Sequence, residues 1–210
     1  MKYAQTKRLI DLVASTGALW VSMPVIVSAG LAVKLTSQGP VFYRSERVGK
    51  DGKRFYLLKL RSMTAASAGD LQVTSGNDAR ITAIGKLLRK TKIDELPQLL
   101  NVLKGDVSLV GPRPEAPVYV AKYPEKYKKI LSVKPGLTDR ATLKFVDEEE
   151  RLEVVDDPEK FYIETIMPEK MAMYLEYVDN YNLTEDLTII YQTITHVLRR
   201  TLKTVAGKIK

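Results

Sequence analysis

The sequence contains no cysteine and a single histidine, His196, among its 210 residues. Without thiols there can be no disulfide-stapled scaffold, thiolate zinc site, iron–sulfur cluster or cysteine nucleophile. One histidine argues against a histidine-rich metal centre and a Ser-His-Asp triad. Chemistry therefore falls to carboxylates, lysines, arginines or hydroxyls. Internal repeats and low-complexity runs are also lacking. Hydrophobic residues make up 45% of the chain, enough to build a core, so disorder of the whole chain is excluded.

Acidic residues are scarce outside one stretch. Residues 1–65 carry a net +8, 66–146 carry +6, 147–190 carry −11 and 191–210 carry +5, for +8 overall. Such a balance calls for an anionic partner: nucleic acid, lipid headgroups or a phosphorylated substrate. The acidic block between two basic regions would interrupt a continuous basic face, so no nucleic-acid partner is expected.

Between Asp11 and Lys34 lie 22 residues without a charge. As a helix they would reach roughly 33 Å at about 1.5 Å per residue, enough to cross a bilayer core of about 30 Å. A cleaved signal peptide fits poorly, because the stretch is long and runs straight into a basic segment. Lys2, Lys7 and Arg8 precede it and six cations follow between Lys34 and Arg54, so the positive-inside rule assigns no outward end. Pro24 near its middle removes a backbone hydrogen bond and bends a helix. A re-entrant helix that enters and leaves through one face is the reading adopted. A kinked spanning helix and a buried soluble helix are the alternatives. On that reading Pro24→Ala favours a straightened, spanning helix.

Downstream the pattern is α+β and mostly helical. Two short strands, 41–44 and 54–60, flank a turn containing Gly49 and Asp51-Gly52, a hairpin signal. Residues 79–104 read as two helical pieces, one with Ile81, Ile84, Leu87 and Leu88 inward and one with Leu96, Leu99, Leu100 and Leu103, stopped by Gly105. Asp94, Glu95 and Pro97 fall in the first turn of the second piece. A helix is expected around FYIETIMPEKMAMYLEYV. Another runs from an N-cap near Thr184, with apolar residues on one face and Arg199, Arg200 and Lys203 at its basic end. That last helix suits either the headgroup layer or ordinary docking on the domain. The expected organisation is a membrane-associated segment 1–36, a catalytic core 37–146 and an acidic and amphipathic helical segment 147–210.

Asp94 and Glu95 point about 100° apart on a helix, so they cannot form a symmetric dyad, but they can divide attack, metal binding and charge handling. The bland alternative is complementation of a helix dipole. Lys59, Arg61, Arg80 and Arg89 surround the pair in sequence. Arg113 stands between Pro112 and Pro114, which stiffen the backbone that aims its planar fork.

KRLIDL at 7–12, the proline-broken segment, GPVFYRSERVG, KLRSM, the run from ARITAIGKLLRK through KIDELPQLLNVLKGDVSLVGPRPE, and VKPGLT at 133–138 occur in this order. Together they resemble the bacterial sugar transferase family, the monotopic phosphoglycosyl transferases. The resemblance implies an enzyme at the cytoplasmic face of the bacterial inner membrane. Such an enzyme moves a sugar 1-phosphate from a nucleoside diphosphate sugar to undecaprenyl phosphate, starting a membrane-bound glycan that downstream glycosyltransferases extend. It implies Asp94 as nucleophile, forming a phosphosugar-aspartyl intermediate, and Mg2+ at Asp94 and Glu95. It further implies Lys59, Arg61, Arg80, Arg89, Arg113 and Glu115 as substrate-binding or phosphate-organising groups, with Lys7, Arg8, Asp11 and Pro24 belonging to the membrane helix. The sequence departs from the family pattern at Met23-Pro24 in place of Ser-Pro, at Ser45, at Leu60, and after VKPGLT, where DRATLKFVDEEERL stands. A non-catalytic adaptor binding anionic lipid through the same basic surface is the rival reading.

Overall fold

A computed structural model describes residues 2–64 and 78–206. In chain order the elements are α1 (Lys2–Thr36), β1 (Phe42–Val48), β2 (Arg54–Leu60), α2 (Ala83–Thr91), α3 (Gln98–Lys104), β3 (Ser108–Val110), α4 (Pro117–Val120) and α5 (Pro124–Ile130). They are followed by β4 (Gly136–Thr138), α6 (Arg140–Lys144), α7 (Glu148–Glu153), α8 (Pro158–Phe161), α9 (Met167–Asn180) and α10 (Leu183–Ala206). This is a mostly helical α+β protein with two small two-stranded sheets, β1-β2 antiparallel and β3-β4 parallel.

The hairpin signal is realised with a longer first strand than alternation suggested. Phe42 pairs with Leu60 and Val48 with Arg54, and the turn between them uses left-handed Asp51 (φ 56°) and Gly52 (φ 75°). The parallel β3-β4 pair has no local sequence signal, since its strands are three residues each. Its closeness rests on Gly136, where an added Cβ would stand 2.1 Å from the Gly111 nitrogen.

Helix α1 runs through Pro24 as one 35-residue helix, not as the two separate segments that a proline break implies. The proline has no N–H for the Trp20 carbonyl, a local loss that the surrounding turns carry. Ser22 Oγ donates instead to the Leu19 carbonyl at 3.3 Å. One face of α1 is held by the domain: Asp11, Ser15, Ile26, Ala29 and Val33 are buried. Leu9, Val13, Trp20, Val21, Val27, Leu31 and Leu35 are exposed.

Helix α2 begins at Thr82, whose Oγ1 accepts from the Gly85 N–H at 3.0 Å. Its Leu88 packs with Leu60 of β2 and with Ala29 and Val33 of α1. Helix α3 ends at Gly105 (φ 94°), as expected. Its inward face is not the one that leucine periodicity suggested: Leu100 is exposed while Gln98 and Asn101 are buried. Asn101 accounts for this by bridging to β2, accepting from Leu58 N–H at 3.0 Å and donating to the Tyr56 carbonyl at 2.8 Å.

The largest hydrophobic cluster joins Ala116, Tyr119, Tyr127, Ile130, Ala141 and Phe145 to Leu152, Tyr162, Ile166, Met167, Met171 and Tyr174. It thus draws on both sides of residue 146, and the apolar positions of the acidic stretch supply half of it. Helix α10 starts two residues earlier than an N-cap at Thr184 implies, because Asn182 Oδ1 accepts from the Glu185 N–H at 3.0 Å. The side chains of Lys203 and Val205 lie outside the described residues.

Candidate active site

The centre of the site is built by a sharp reversal after α2. Lys92 adopts a left-handed conformation (φ 57°) and closes α2 through bonds from its N–H to the carbonyls of Arg89 and Leu88. A single 3-10 turn, Ile93–Glu95, follows and swings the two carboxylates toward β2 before α3 begins. Asp94 is buried, with 4% of its surface exposed, and its Oδ1 has no hydrogen-bond partner among the described residues. Glu95 is fully engaged by comparison: its Oε1 accepts from Lys59 Nζ at 2.9 Å and from Arg113 Nη2 at 2.5 Å. Arg113 also donates through Nη1 to the Leu137 carbonyl at 3.0 Å, which ties the proline-flanked loop to β4.

Burial, then the neighbouring Glu95, pushes the Asp94 carboxyl above its ordinary range, with Lys59 opposing. Burial would raise Glu95 as well, but Arg113 and Lys59 outweigh it and hold that carboxyl well below the usual value. Burial lowers the Lys59 ammonium against the pull of Glu95. Glu95 keeps Arg113 firmly charged. The two adjacent carboxylates therefore differ: one is a neutralised organiser of cations, the other a buried carboxylate with an open oxygen. Their environments push the acidities apart, the pattern of groups with divided roles.

Asp94, Glu95, Lys59 and Arg113 line a cavity of about 650 Å³. Arg80 and Arg89 line it too, each with a carboxylate attached. Arg80 is held by Asp78, with Nη2 to Oδ2 at 2.6 Å, and Arg89 by Glu149 of α7, with Nη2 to Oε1 at 2.9 Å. Gln38, Gly39 and Pro40, just beyond α1, form another part of the wall.

Arg61 and Glu115 reach the same cavity, but the Arg61 Nη1 and Nη2 atoms and the Glu115 carboxylate are engaged with the fold. Arg61 caps α1, donating to the carbonyls of Ser37 at 2.8 Å and Gln38 at 2.5 Å and to Ser37 Oγ at 2.8 Å. Glu115 accepts from the Tyr162 hydroxyl at 2.7 Å and lies 3.8 Å from Arg47. Sequence spacing could not separate these two from the cations gathered around Asp94. Glu149, Arg47 and Tyr162 were missed because their partners lie far away in the chain.

The first turns of α1 are clamped to the same body. Arg8 donates to the carbonyls of Val102 and Leu103 at 2.6 and 2.8 Å, closing the end of α3. Asp11 Oδ1 accepts from Ser108 Oγ at 3.1 Å and the Leu109 N–H at 3.0 Å. Lys7 Nζ meets Asp186 Oδ2 of α10 at 2.7 Å, and the Tyr3 and Tyr177 hydroxyls donate to the same carboxylate.

No group of three or more acidic or histidine side chains stands ready for a metal among the described residues. Mg2+ does not require one, since it is commonly bound by one or two carboxylates plus substrate phosphates and water. The Asp94 carboxylate, which no cation among the described residues engages through a hydrogen bond, fits that role, whereas Glu95 Oε1 is already taken by two cations.

The chain matches the family described as "Bacterial sugar transferase" over residues 2–200. It is 38% identical over 197 residues to a UDP-glucose:undecaprenyl-phosphate glucose-1-phosphate transferase of Caulobacter vibrioides, covering 91% of this chain and 69% of that protein. It is 38% identical over 193 residues to a protein of the same name from Escherichia coli K12, covering 90% of this chain and 39% of the other. With a UDP-N-acetylgalactosamine-undecaprenyl-phosphate N-acetylgalactosaminephosphotransferase of Aeromonas hydrophila the identity is 34% over 206 residues, 93% of this chain and 44% of the relative. The chain thus spans less than half the length of two of these relatives. With the match running over nearly the whole sequence, this enzyme belongs to the bacterial sugar transferase family.

Proposed function

We propose that this chain transfers a sugar 1-phosphate from a UDP-sugar to undecaprenyl phosphate at the cytoplasmic face of the bacterial inner membrane, through a covalent intermediate on Asp94. One observation carries the reading: a buried carboxylate with an unpartnered oxygen lies in a cavity that also holds Lys59, Arg113, Arg80 and Arg89. An adaptor has no use for a buried carboxylate with an open oxygen in such a place.

Asp94 Oδ1 attacks the sugar-bearing phosphorus, and the bond from that phosphorus to the bridging oxygen breaks, releasing the nucleoside monophosphate. A phosphate oxygen of undecaprenyl phosphate then attacks the same phosphorus, and the bond to Asp94 breaks. The product is a lipid diphosphate sugar, and the carboxylate is regenerated. Lys59 and Arg113, preset by Glu95, stabilise charge on the transferring phosphoryl oxygens, and Arg89 reaches the diphosphate by leaving Glu149. The substrate phosphates and the Asp94 carboxylate oxygen that does not attack would hold Mg2+, which would supply neutralisation of part of the diphosphate charge.

A monotopic association is supported by the two ends of α1. Arg8 fixes one end to α3 and Arg61 fixes the other, about 43 Å away along the helix at about 1.5 Å per residue. One folded body cannot hold both ends if a bilayer lies between them. The exposed apolar side of α1 then rests in the membrane, and the cavity wall at Gln38–Pro40 gives the lipid phosphate a short route to Asp94.

The test is release of uridine monophosphate from a panel of UDP-sugars by detergent-solubilised protein with Mg2+, with and without undecaprenyl phosphate. Lipid-dependent release that disappears in Asp94→Asn supports the reading. Equal release from that variant removes Asp94 as nucleophile.

A further inference from the structure

Helix α10 has two faces of different chemistry. Leu187, Tyr191, Ile194, Leu198 and Leu202 recur at three- and four-residue intervals and are exposed. Thr193, His196, Val197 and Arg200 recur at the same intervals on the opposite side and line the cavity that holds Asp94. The inner face is joined to the catalytic groups by a bonded path. Thr193 Oγ1 donates its one proton to the Ile189 carbonyl at 2.8 Å, so across the 2.7 Å contact with Thr138 it is Thr138 that donates. Thr138 follows Leu137, whose carbonyl holds Arg113.

His196 stands on this inner face as the chain's single histidine. Among the described residues neither ring nitrogen has a hydrogen-bond partner. Charged groups of this lining are already engaged: Glu149 with Arg89, Glu148 with Lys170, and Arg200, four residues along α10, with the Val146 carbonyl at 2.9 Å. Apolar surface from Phe145 and Val197 completes this part of the lining. A nucleoside diphosphate sugar has an anionic centre flanked by neutral rings, the base and ribose on one side and the sugar on the other, and the cations of β2, α2 and the Arg113 loop suit only the centre.

We infer that the inner face of α10 is the wall that recognises a neutral ring of the donor, and that His196 hydrogen-bonds to a polar group on that ring. This rests on the reading of the chain as a UDP-sugar transferase. Both the sugar hydroxyls and the uracil imide offer the required donors and acceptors, and the experiment separates them.

His196→Ala and His196→Asn, compared with wild type in the full chain, are tested for KM and kcat on UDP-sugars and for inhibition by uridine monophosphate. His196→Ala is expected to raise KM about tenfold with little change in kcat, and His196→Asn, which keeps a donor and an acceptor, to recover part of the loss. Weaker inhibition by uridine monophosphate assigns the contact to the nucleoside. Unchanged inhibition with an altered ranking of sugars assigns it to the sugar. A folded His196→Ala protein with wild-type KM, inhibition and ranking overturns the inference. If wild type releases no nucleotide, the transferase reading fails first; calorimetric binding of the same UDP-sugars then decides the inference, and equal affinity of wild type and His196→Ala overturns it.

Discussion

Arg113 and Lys59 converge on one oxygen of Glu95, at 2.5 and 2.9 Å, although they come from a proline-flanked loop and from β2. Glu95 therefore works as the clamp that sets two cations around Asp94, and its loss should be felt as misplacement. Asp94→Asn should reduce turnover by at least about a thousandfold while leaving melting temperature and membrane association near wild type. Glu95→Gln should reduce turnover and also lower stability by about 2–3 kcal/mol, because Lys59 and Arg113 keep only about a fifth of their side-chain surface in water. Thermal denaturation of both variants beside activity checks the contrast. Equal melting temperatures for the two variants would remove the clamp.

The pH dependence follows from the opposite displacements of the two carboxyls. Turnover needs ionised Asp94, whose folded value lies above the ordinary 3.8, so kcat/KM should fall on the acid side at a higher pH than a free aspartate would give. An acid limb at or below that value contradicts the raised carboxyl. For Glu95 the folded value is depressed, so its stabilisation is present above the ordinary 4.5 and is lost as pH falls from there through the depressed value. The melting difference between wild type and Glu95→Gln should accordingly be full at neutral pH and narrow below about pH 4.5.

How far the sequence carried the site can be judged residue by residue. Gly49, Gly52 and Gly105 announced their turns because positive φ or tight turning selects glycine locally. Pro112 and Pro114 around Arg113 were legible for the same reason. Arg61 was not separable from Lys59, since only the tertiary fold brings the Ser37 and Gln38 carbonyls to its guanidinium. Asn101 defeated the leucine pattern of α3 because its side-chain amide satisfies two backbone groups of β2. Glu149 and Arg89 are 60 positions apart, beyond any local rule.

Asp186 is the point at which the entry of α1 and the start of α10 are joined. It is 4% exposed and accepts from Lys7, Tyr3 and Tyr177. Asp186→Asn should destabilise the protein by about 1–3 kcal/mol, since it leaves the Lys7 ammonium without its counter-charge at a site only 17% exposed. Adding Lys7→Met should recover part of the loss. A double variant as unstable as the sum of the single changes would show that the two charges do not act as a pair.

Membrane topology can be read directly, because a chain without cysteine accepts single reporters on an empty background. Gln5, near the start of α1, and Lys53, beyond its far end, are exposed and lie on opposite sides of its apolar stretch. With both ends of α1 tied to one body, Gln5→Cys and Lys53→Cys should both resist an impermeant maleimide in intact spheroplasts, and both should react in inverted vesicles. The tethers also bear on Pro24. Restoring an N–H to the helix strengthens its middle but leaves Arg8 on α3 and Arg61 on the Ser37 and Gln38 carbonyls. Pro24→Ala should therefore keep both reporters on the cytoplasmic side, against the spanning helix that the proline alone would suggest. Labelling of Gln5→Cys from outside, in either background, would mean that α1 crosses the bilayer and that its contacts with the domain do not survive there.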